Sequence, residues 1–200
     1  MAKGTGAQKL ELPSAESIAA SASEASKSGI PPVERWNPPF CGDLDMRIAR
    51  DGTWYYLGTP IGRPGLVKLF SSIIRKDGED YFLVTPVEKV GITVDDAPFV
   101  AIDFAVSDAG ADQKLTFETH VGDKVTAGPD HPIRVFRDPD TGEPSPYINV
   151  RRNLEALIDR KSFYRLVDIG VHHDVDGVSW FGLWSTGEFF PMIHSADLPE

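Results

Sequence analysis

The chain has 200 residues, a single cysteine and a formal net charge of −10, with 41% of its residues hydrophobic. One cysteine leaves no internal disulfide framework, and an acidic total weighs against general binding to nucleic acid or anionic membranes. No stretch is long and apolar enough to span a bilayer and the first thirty residues do not resemble a signal peptide, so the expected location is the cytoplasm. Residues 1–30 read equally as a mobile polar tail or as a stretch in which Ser14 caps a short helix running to about Ala25. Ile30-Pro31-Pro32 ends it, and residues 36–40 form an extended connector. Residues 46–50 and 53–57 flank Asp51-Gly52, a two-residue hairpin signal. From Pro64, the residues Leu66, Leu69, Phe70, Ile73 and Ile74 recur at helical spacing, and Asp77-Gly78 terminates that helix.

Strands are expected at 81–85, 89–94, 99–105, 114–119 and 124–127. Gly128-Pro129-Asp130 is the expected boundary, giving a first domain over 31–127 and a second over 128–200. In the second, residues 133–136 form a strand, and Asn149 caps a helix carrying Val150, Leu154, Leu157 and Ile158. Strands at 163–167, 178–184 and 188–192 complete it. The sum is an α+β protein of two small domains, each a mostly antiparallel sheet with one main helix.

Residues 61–70 can be laid on 149–158 by matching Arg63 to Arg151, which puts Leu66 on Leu154 and Leu69 on Leu157. This predicts duplicated half-domains, whose interface is a natural place for a ligand. The charge distribution follows the repeat. Residues 34–76 hold seven Lys/Arg against four Asp/Glu and residues 131–166 hold seven against five, so the two repeat-bearing segments are the basic parts of an acidic chain. Arg63, Arg151 and Arg152 fall at predicted helix starts, where the macrodipole disfavours a cation by about 0.3–1 kcal/mol. Such placement calls for a compensating partner, either an internal carboxylate or a bound anion. Free amides at a helix start, with Gly58, Gly62 and Gly65 allowing close approach, suit a phosphate. Trp54 and Tyr147 precede the two arginine-bearing segments and are candidates to stack on a planar ligand, with Lys89 a further cation.

Other chemistry has weaker support. No Lys-Ser or Lys-Thr follows Gly65, so this is not a Walker loop. His172 and His173 are adjacent on a strand and point to opposite faces, and Asp176-Gly177 is a hairpin turn. His120, His131 and His194 lack metal-ligand spacing, and no cofactor or metal is expected. Cys41 reads as a small filler, since neither a base nor a helix start lies beside it.

Several phrases together carry a resemblance. They are Gly58-Thr59-Pro60-Ile61, the run from Pro86 through Val94, Asn149-Val150-Arg151 through Leu157, Phe163 through Asp168, and Trp184 through Pro191. Over about residues 30–193 the chain resembles the bacterial domain-of-unknown-function family numbered 1285. The resemblance implies two domains made by duplication, the second pleckstrin-homology-like. It also implies a site between the domains for a nucleotide-like compound, and a signalling role. It supplies no catalytic residues.

The expected function is a non-enzymatic cytoplasmic binding module, with a role in signalling, for an anionic small molecule bearing phosphate that docks between the two halves. Arg63 and Arg151 would neutralise it, Arg152 and Lys89 would assist, and Trp54 or Tyr147 would stack on a base. A metal-dependent phosphoester hydrolase and a protein-interaction scaffold are the alternatives.

Overall fold

The structure, a computed structural model, describes residues 13–27, 29–108 and 110–198. The expectation for the first twelve residues of the tail lies outside them. The chain divides into two compact units, one of residues up to 48 with 53–94 and one of 49–52 with 95–200. That division falls near residue 95, well before the Gly128 turn expected from the sequence.

Unit 1 opens with α1 (Ala15–Ala25), whose start is fixed by Ser14. The Ser14 hydroxyl accepts from the Ser17 amide at 3.2 Å, satisfying one of the helix's orphan donors. Its buried stripe is Ala15, Ile18 and Ala22. A six-stranded sheet follows, made of β1 (Phe40–Ile48), β2 (Trp54–Tyr56), β3 (Thr59–Pro60), β4 (Ile74–Asp77), β5 (Asp80–Val84) and β6 (Lys89–Val94). Between β3 and β4 runs α2 (Pro64–Ser72). The helix expected from Pro64 is therefore present but ends before Ile74, which begins β4. The order across the sheet is β3-β2-β1-β6-β5-β4. All neighbours are antiparallel except the central pair β1 and β6. Phe70 of α2 is fully buried and stacks on Trp54 of β2, with ring centroids 6.1 Å apart and planes 20° from parallel.

Unit 2 contains β7 (Phe99–Ser107), β8 (Lys114–Thr119), β9 (Lys124–Thr126), β10 (Ile133–Arg137), β11 (Pro144–Arg151) and β12 (Leu154–Ile158). Their order is β10-β11-β12-β7-β8-β9, with β12 and β7 the parallel pair. Read from its own first strand, each six-stranded sheet has the order 3-2-1-6-5-4. Each is thus two three-stranded meanders joined at the centre, the pattern a duplicated unit gives. After β12 come α3 (Arg160–Asp168) and a three-stranded sheet of β13 (Val171–Val175), β14 (Val178–Ser185) and β15 (Glu188–His194). The buried Ser185 ties that sheet to the larger one. Its hydroxyl accepts from the Leu115 amide at 3.0 Å and donates to the Ala127 carbonyl at 2.8 Å.

Three expectations are corrected in unit 2. Residues 149–158 form no helix but the β11–β12 hairpin, with Ile148, Val150, Leu154, Ala156 and Ile158 buried at a period of two. Asn149, expected to cap a helix, instead donates from its side-chain amide to the Arg152 carbonyl at 2.9 Å, and Arg152 takes a positive φ of 54° in the turn. Residues 163–167, expected as a strand, lie in α3, which Asp159 caps by accepting from the Ser162 amide at 2.8 Å. The alignment of Arg63 with Arg151 is therefore not a structural equivalence. Arg63 precedes the helix between the third and fourth strands, whereas Arg151 ends the fifth strand of its sheet.

Candidate functional site

The start of α2 is built by Arg63-Pro64-Gly65. Pro64 occupies the first helical position, where its missing N–H costs nothing, and Arg63 is the extended N-cap residue with φ −106° and ψ 104°. No side chain caps this end and no acid lies in its first turn. The amides of Leu66 and Val67 both turn back to the Arg63 carbonyl, at 3.0 and 3.2 Å. The amides of Gly62 and Gly65 have no acceptor among the described residues. Their dipoles and the end of the helix make this an electropositive point.

Beside it lies a cavity of about 300 Å³. Phe70 forms its floor, Ile61, Leu66 and Tyr56 its walls, and Ala15 and Ala19 of α1 close one side. Arg63 stands at its edge, exposed, and its guanidinium has no ion pair or hydrogen bond among the described residues. Glu16 is the carboxylate in the wall. The site thus joins an apolar pocket to a cation and free amides, an arrangement suited to a small molecule with an anionic end.

The other residues singled out from the sequence are placed differently. Trp54 is 1% exposed and has no face to offer a ligand. Lys89 donates to Asp77 at 2.7 Å and lies 3.7 Å over the Phe82 ring. Arg75 joins the same carboxylate at 2.8 Å, and its hydrogen bonds are the chief cause holding Asp77 below the ordinary carboxylate range. Arg151 is paired with Asp123 at 2.5 Å and covers the Phe99 ring, with its side chain 12% exposed. The compensating partner of this arginine is an internal carboxylate. Arg152 serves the β11–β12 turn through its backbone. Tyr147 is buried, donates its hydroxyl to Asp96 at 2.7 Å and carries the Arg134 guanidinium over its ring. Burial, seconded by Asp96, pushes its phenol up to about 12.

Of the six, Arg63 alone reaches a cavity with its charge unclaimed. Sequence reasoning missed Tyr56 and the α1 face that line the same cavity. The Ser14 cap and the Ala15, Ala19 spacing locate that face only once α1 is known to lie against α2. In unit 2 a second cavity, of about 260 Å³, includes Arg50 and Arg160. Both are engaged internally, Arg50 with Asp96 and Ser145, Arg160 with the Tyr164 hydroxyl. Among the described residues no three His, Cys, Asp or Glu side chains come together as a metal set, and no helix is long and apolar enough to cross a membrane.

Two family profiles divide the chain much as the structure does. The profile described as domain of unknown function (DUF1285), N-terminal domain, matches residues 31–97. That described as protein of unknown function (DUF1285), C-terminal domain, matches residues 98–192. The chain belongs to the DUF1285 family. Among solved structures it is similar to a DUF1285 family protein from Silicibacter pomeroyi DSS-3, at 59% identity over 90% of this chain and 96% of that one, with a TM-score of 0.81. A DUF1285 family protein from Shewanella baltica OS155 is similar at 30% identity over 62% of this chain and 91% of that one, with a TM-score of 0.49. No curated protein matches. DUF1285 membership accounts for the two matched domains and assigns them no chemistry.

Proposed function

We propose that this DUF1285 protein is a ligand-binding module whose unit 1 cavity takes an anionic, phosphate-bearing small molecule. The single observation that carries the reading is the exposed Arg63 guanidinium, unpaired among the described residues, at the edge of an apolar cavity beside the start of α2, which no side chain caps. Phosphate oxygens would meet Arg63 and the Gly62 and Gly65 amides, while the apolar part of the ligand lies against Leu66 and Phe70. A nucleotide-like ligand fits this division, because Tyr56 offers a ring in the wall and the volume is at the lower end of small-molecule sites. No nucleophile with an adjacent base lines the cavity, so we read the role as sensing rather than catalysis. A signalling function follows if binding shifts the protein between states that a partner distinguishes.

The test is a thermal-shift series with nucleotides, nucleotide second messengers and inorganic phosphate. Ligand at about a hundred times its dissociation constant stabilises by roughly 2.7 kcal/mol, which for this length is a shift of about 5–10 °C. The expected result is a selective shift that Arg63→Ala removes and Arg151→Ala leaves in place. A shift that survives Arg63→Ala unchanged would move the ligand elsewhere, and no shift with any of these compounds would end the phosphate reading.

A further inference from the structure

The sheet of β13, β14 and β15 has two unlike faces. One is internal, with Leu183 and Ser185 fully buried. The other carries residues of opposite parity and is largely uncovered. His173, Trp180 and His194 sit in register across the three strands, and Trp184 lies opposite Phe189. The Trp180 and His194 ring centroids are 3.9 Å apart, and Trp184 is 4.9 Å from His173 and 5.4 Å from Phe189. Gly182 makes this layer possible, since a Cβ there would lie 2.7 Å from the Phe189 ring. Val171 and Val178 extend the layer at 44% and 45% exposed. His173 and His194 are exposed, and Trp180, Trp184 and Phe189 each keep part of their rings in solvent.

Two further observations say what would cover it. First, residues 167–200 contain six Asp and Glu and no Lys or Arg. Asp168, Asp174, Asp176, Glu188 and Asp197 are all exposed, and among the described residues none is paired with a lysine or arginine. Second, β13 is the end strand of its sheet, exposed from Val171 to Asp174, and no described strand pairs with its outer edge. By register Asp174 and Glu188 belong to the other face, but Asp176 in the β13–β14 turn and Asp197, 3.6 Å from His194, flank the aromatic one. Aromatic faces present negative charge to a cation, and these two carboxylates add to that field. An open edge offers backbone hydrogen bonds to a chain in extended conformation.

We infer that this face and edge dock an extended segment of a partner protein carrying arginine or lysine at alternate positions. The segment adds to the sheet beside β13 and lays its cations over the Trp180 and Trp184 rings. Arginine suits the site better than lysine, because its planar, weakly hydrated group stacks on indole. The residues involved are separate from the Arg63 cavity, so this inference stands or falls independently of the phosphate reading.

The experiment is a calorimetric titration of the full chain with a capped peptide of four Arg-Val repeats. Saturable one-to-one binding that weakens with salt is expected, and no binding of the matching Glu-Val peptide. Val171→Lys and Val178→Lys change exposed positions and leave the core alone, and each is expected to weaken binding about tenfold with an unchanged melting temperature. Trp180→Ala is expected to weaken it to a similar degree, about the range of a desolvated cation–aromatic contact. Methylating alternate peptide amides should also cost affinity. Failure of the Arg-Val peptide to bind, equal binding of the Glu-Val peptide, or wild-type affinity in the Val171→Lys/Val178→Lys double variant would each overturn the inference. Unchanged affinity of the methylated peptide would overturn strand addition, and binding of a single-stranded oligonucleotide in its place would overturn the partner class.

Discussion

Arg151→Ala should destabilise unit 2 and leave any phosphate ligand bound. The Arg151 guanidinium donates to the Asp123 carboxylate at 2.5 Å, with the two side chains 12% and 23% exposed, and lies 4.6 Å from the centroid of the Phe99 ring. Removing one partner of a fully buried pair costs about 3–5 kcal/mol. Asp123 keeps some access to water, so about 2–3 kcal/mol is the appropriate range here, with roughly 0.5–1 kcal/mol more for the lost contact to Phe99. At about 2–4 °C per kcal/mol for a chain of this size, a total of about 2.5–4 kcal/mol lowers the melting temperature by about 5–16 °C. The assay is thermal unfolding of wild type, Arg151→Ala, Asp123→Asn and the double variant. The double variant should be less destabilised than the two single losses summed, because the second substitution removes the stranded charge. Arg63→Ala, at an exposed site, should stay within about 0.5 kcal/mol of wild type. If instead Arg151→Ala melts like wild type and abolishes a phosphate-induced shift, the division of roles between these two arginines is wrong.

The turn histidine gives a prediction in pH. His120 Nδ1 accepts the Val100 amide at 3.1 Å, which leaves the proton on Nε2, and Nε2 is buried without a partner among the described residues. Burial lowers its pKa below the ordinary value of 6.5, so the unfolded chain takes up the proton first. Its contribution to stability is full above pH 6.5 and is lost as pH falls from there through the folded pKa. Melting temperatures between pH 7.5 and 5 should fall for wild type and flatten in His120→Gln; an unchanged slope in the variant would refute this. The depressed carboxylates Asp77, Asp103 and Asp138 act in a lower window, losing their contribution as pH falls below about 4. Gly182→Ala should cost about 1–3 kcal/mol, because the new methyl meets the Phe190 carbonyl oxygen and the Phe189 ring. Wild-type melting in that variant would mean the aromatic layer is looser than described. Ser14→Ala should lower helicity slightly and cost about 1 kcal/mol, read by circular dichroism and denaturant unfolding.

Where one physical signal dominated, the sequence could be read directly. Ser14 had a cap's side chain and a following run of helix formers, and α1 begins after it. Strands β5 to β8 were legible from β-branched and aromatic runs bounded by turn residues. The misreadings arose where two periodicities competed. Val150, Leu154, Leu157 and Ile158 satisfy helical spacing, but Leu157 is only half-buried and the true stripe alternates on either side of a two-residue turn. That turn is Arg152-Asn153, which lacks the glycine that usually marks a hairpin. Conversely, Phe163 through Val167 has a strand's composition, and the signal that makes it helical is the Asp159 cap upstream of it. Of the site, the Arg63 helix start was visible in Arg-Pro-Gly, because proline and glycine act locally. The pairing of Arg151 with Asp123 was not, since it depends on β9 and β11 being brought into one sheet.

The strand order of the two sheets also governs the order of events in time. The hairpins within each meander are local and close in about 1–10 µs, but β1 must find β6, and β7 must find β12, the first and last strands in sequence of their six-stranded sheets. The slow step of folding therefore falls on the two parallel seams. Until the second seam closes, the edge of β7 at Phe99, Val100 and Ala101 is an apolar strand without its neighbour, the kind of edge that recruits other chains. Val100→Ala should then slow refolding in stopped-flow experiments more than it speeds unfolding, whereas the opposite partition would put the seam after the rate-limiting barrier. A nascent chain passes through such an exposed state twice, until residues 89–94 and then residues 154–158 have emerged.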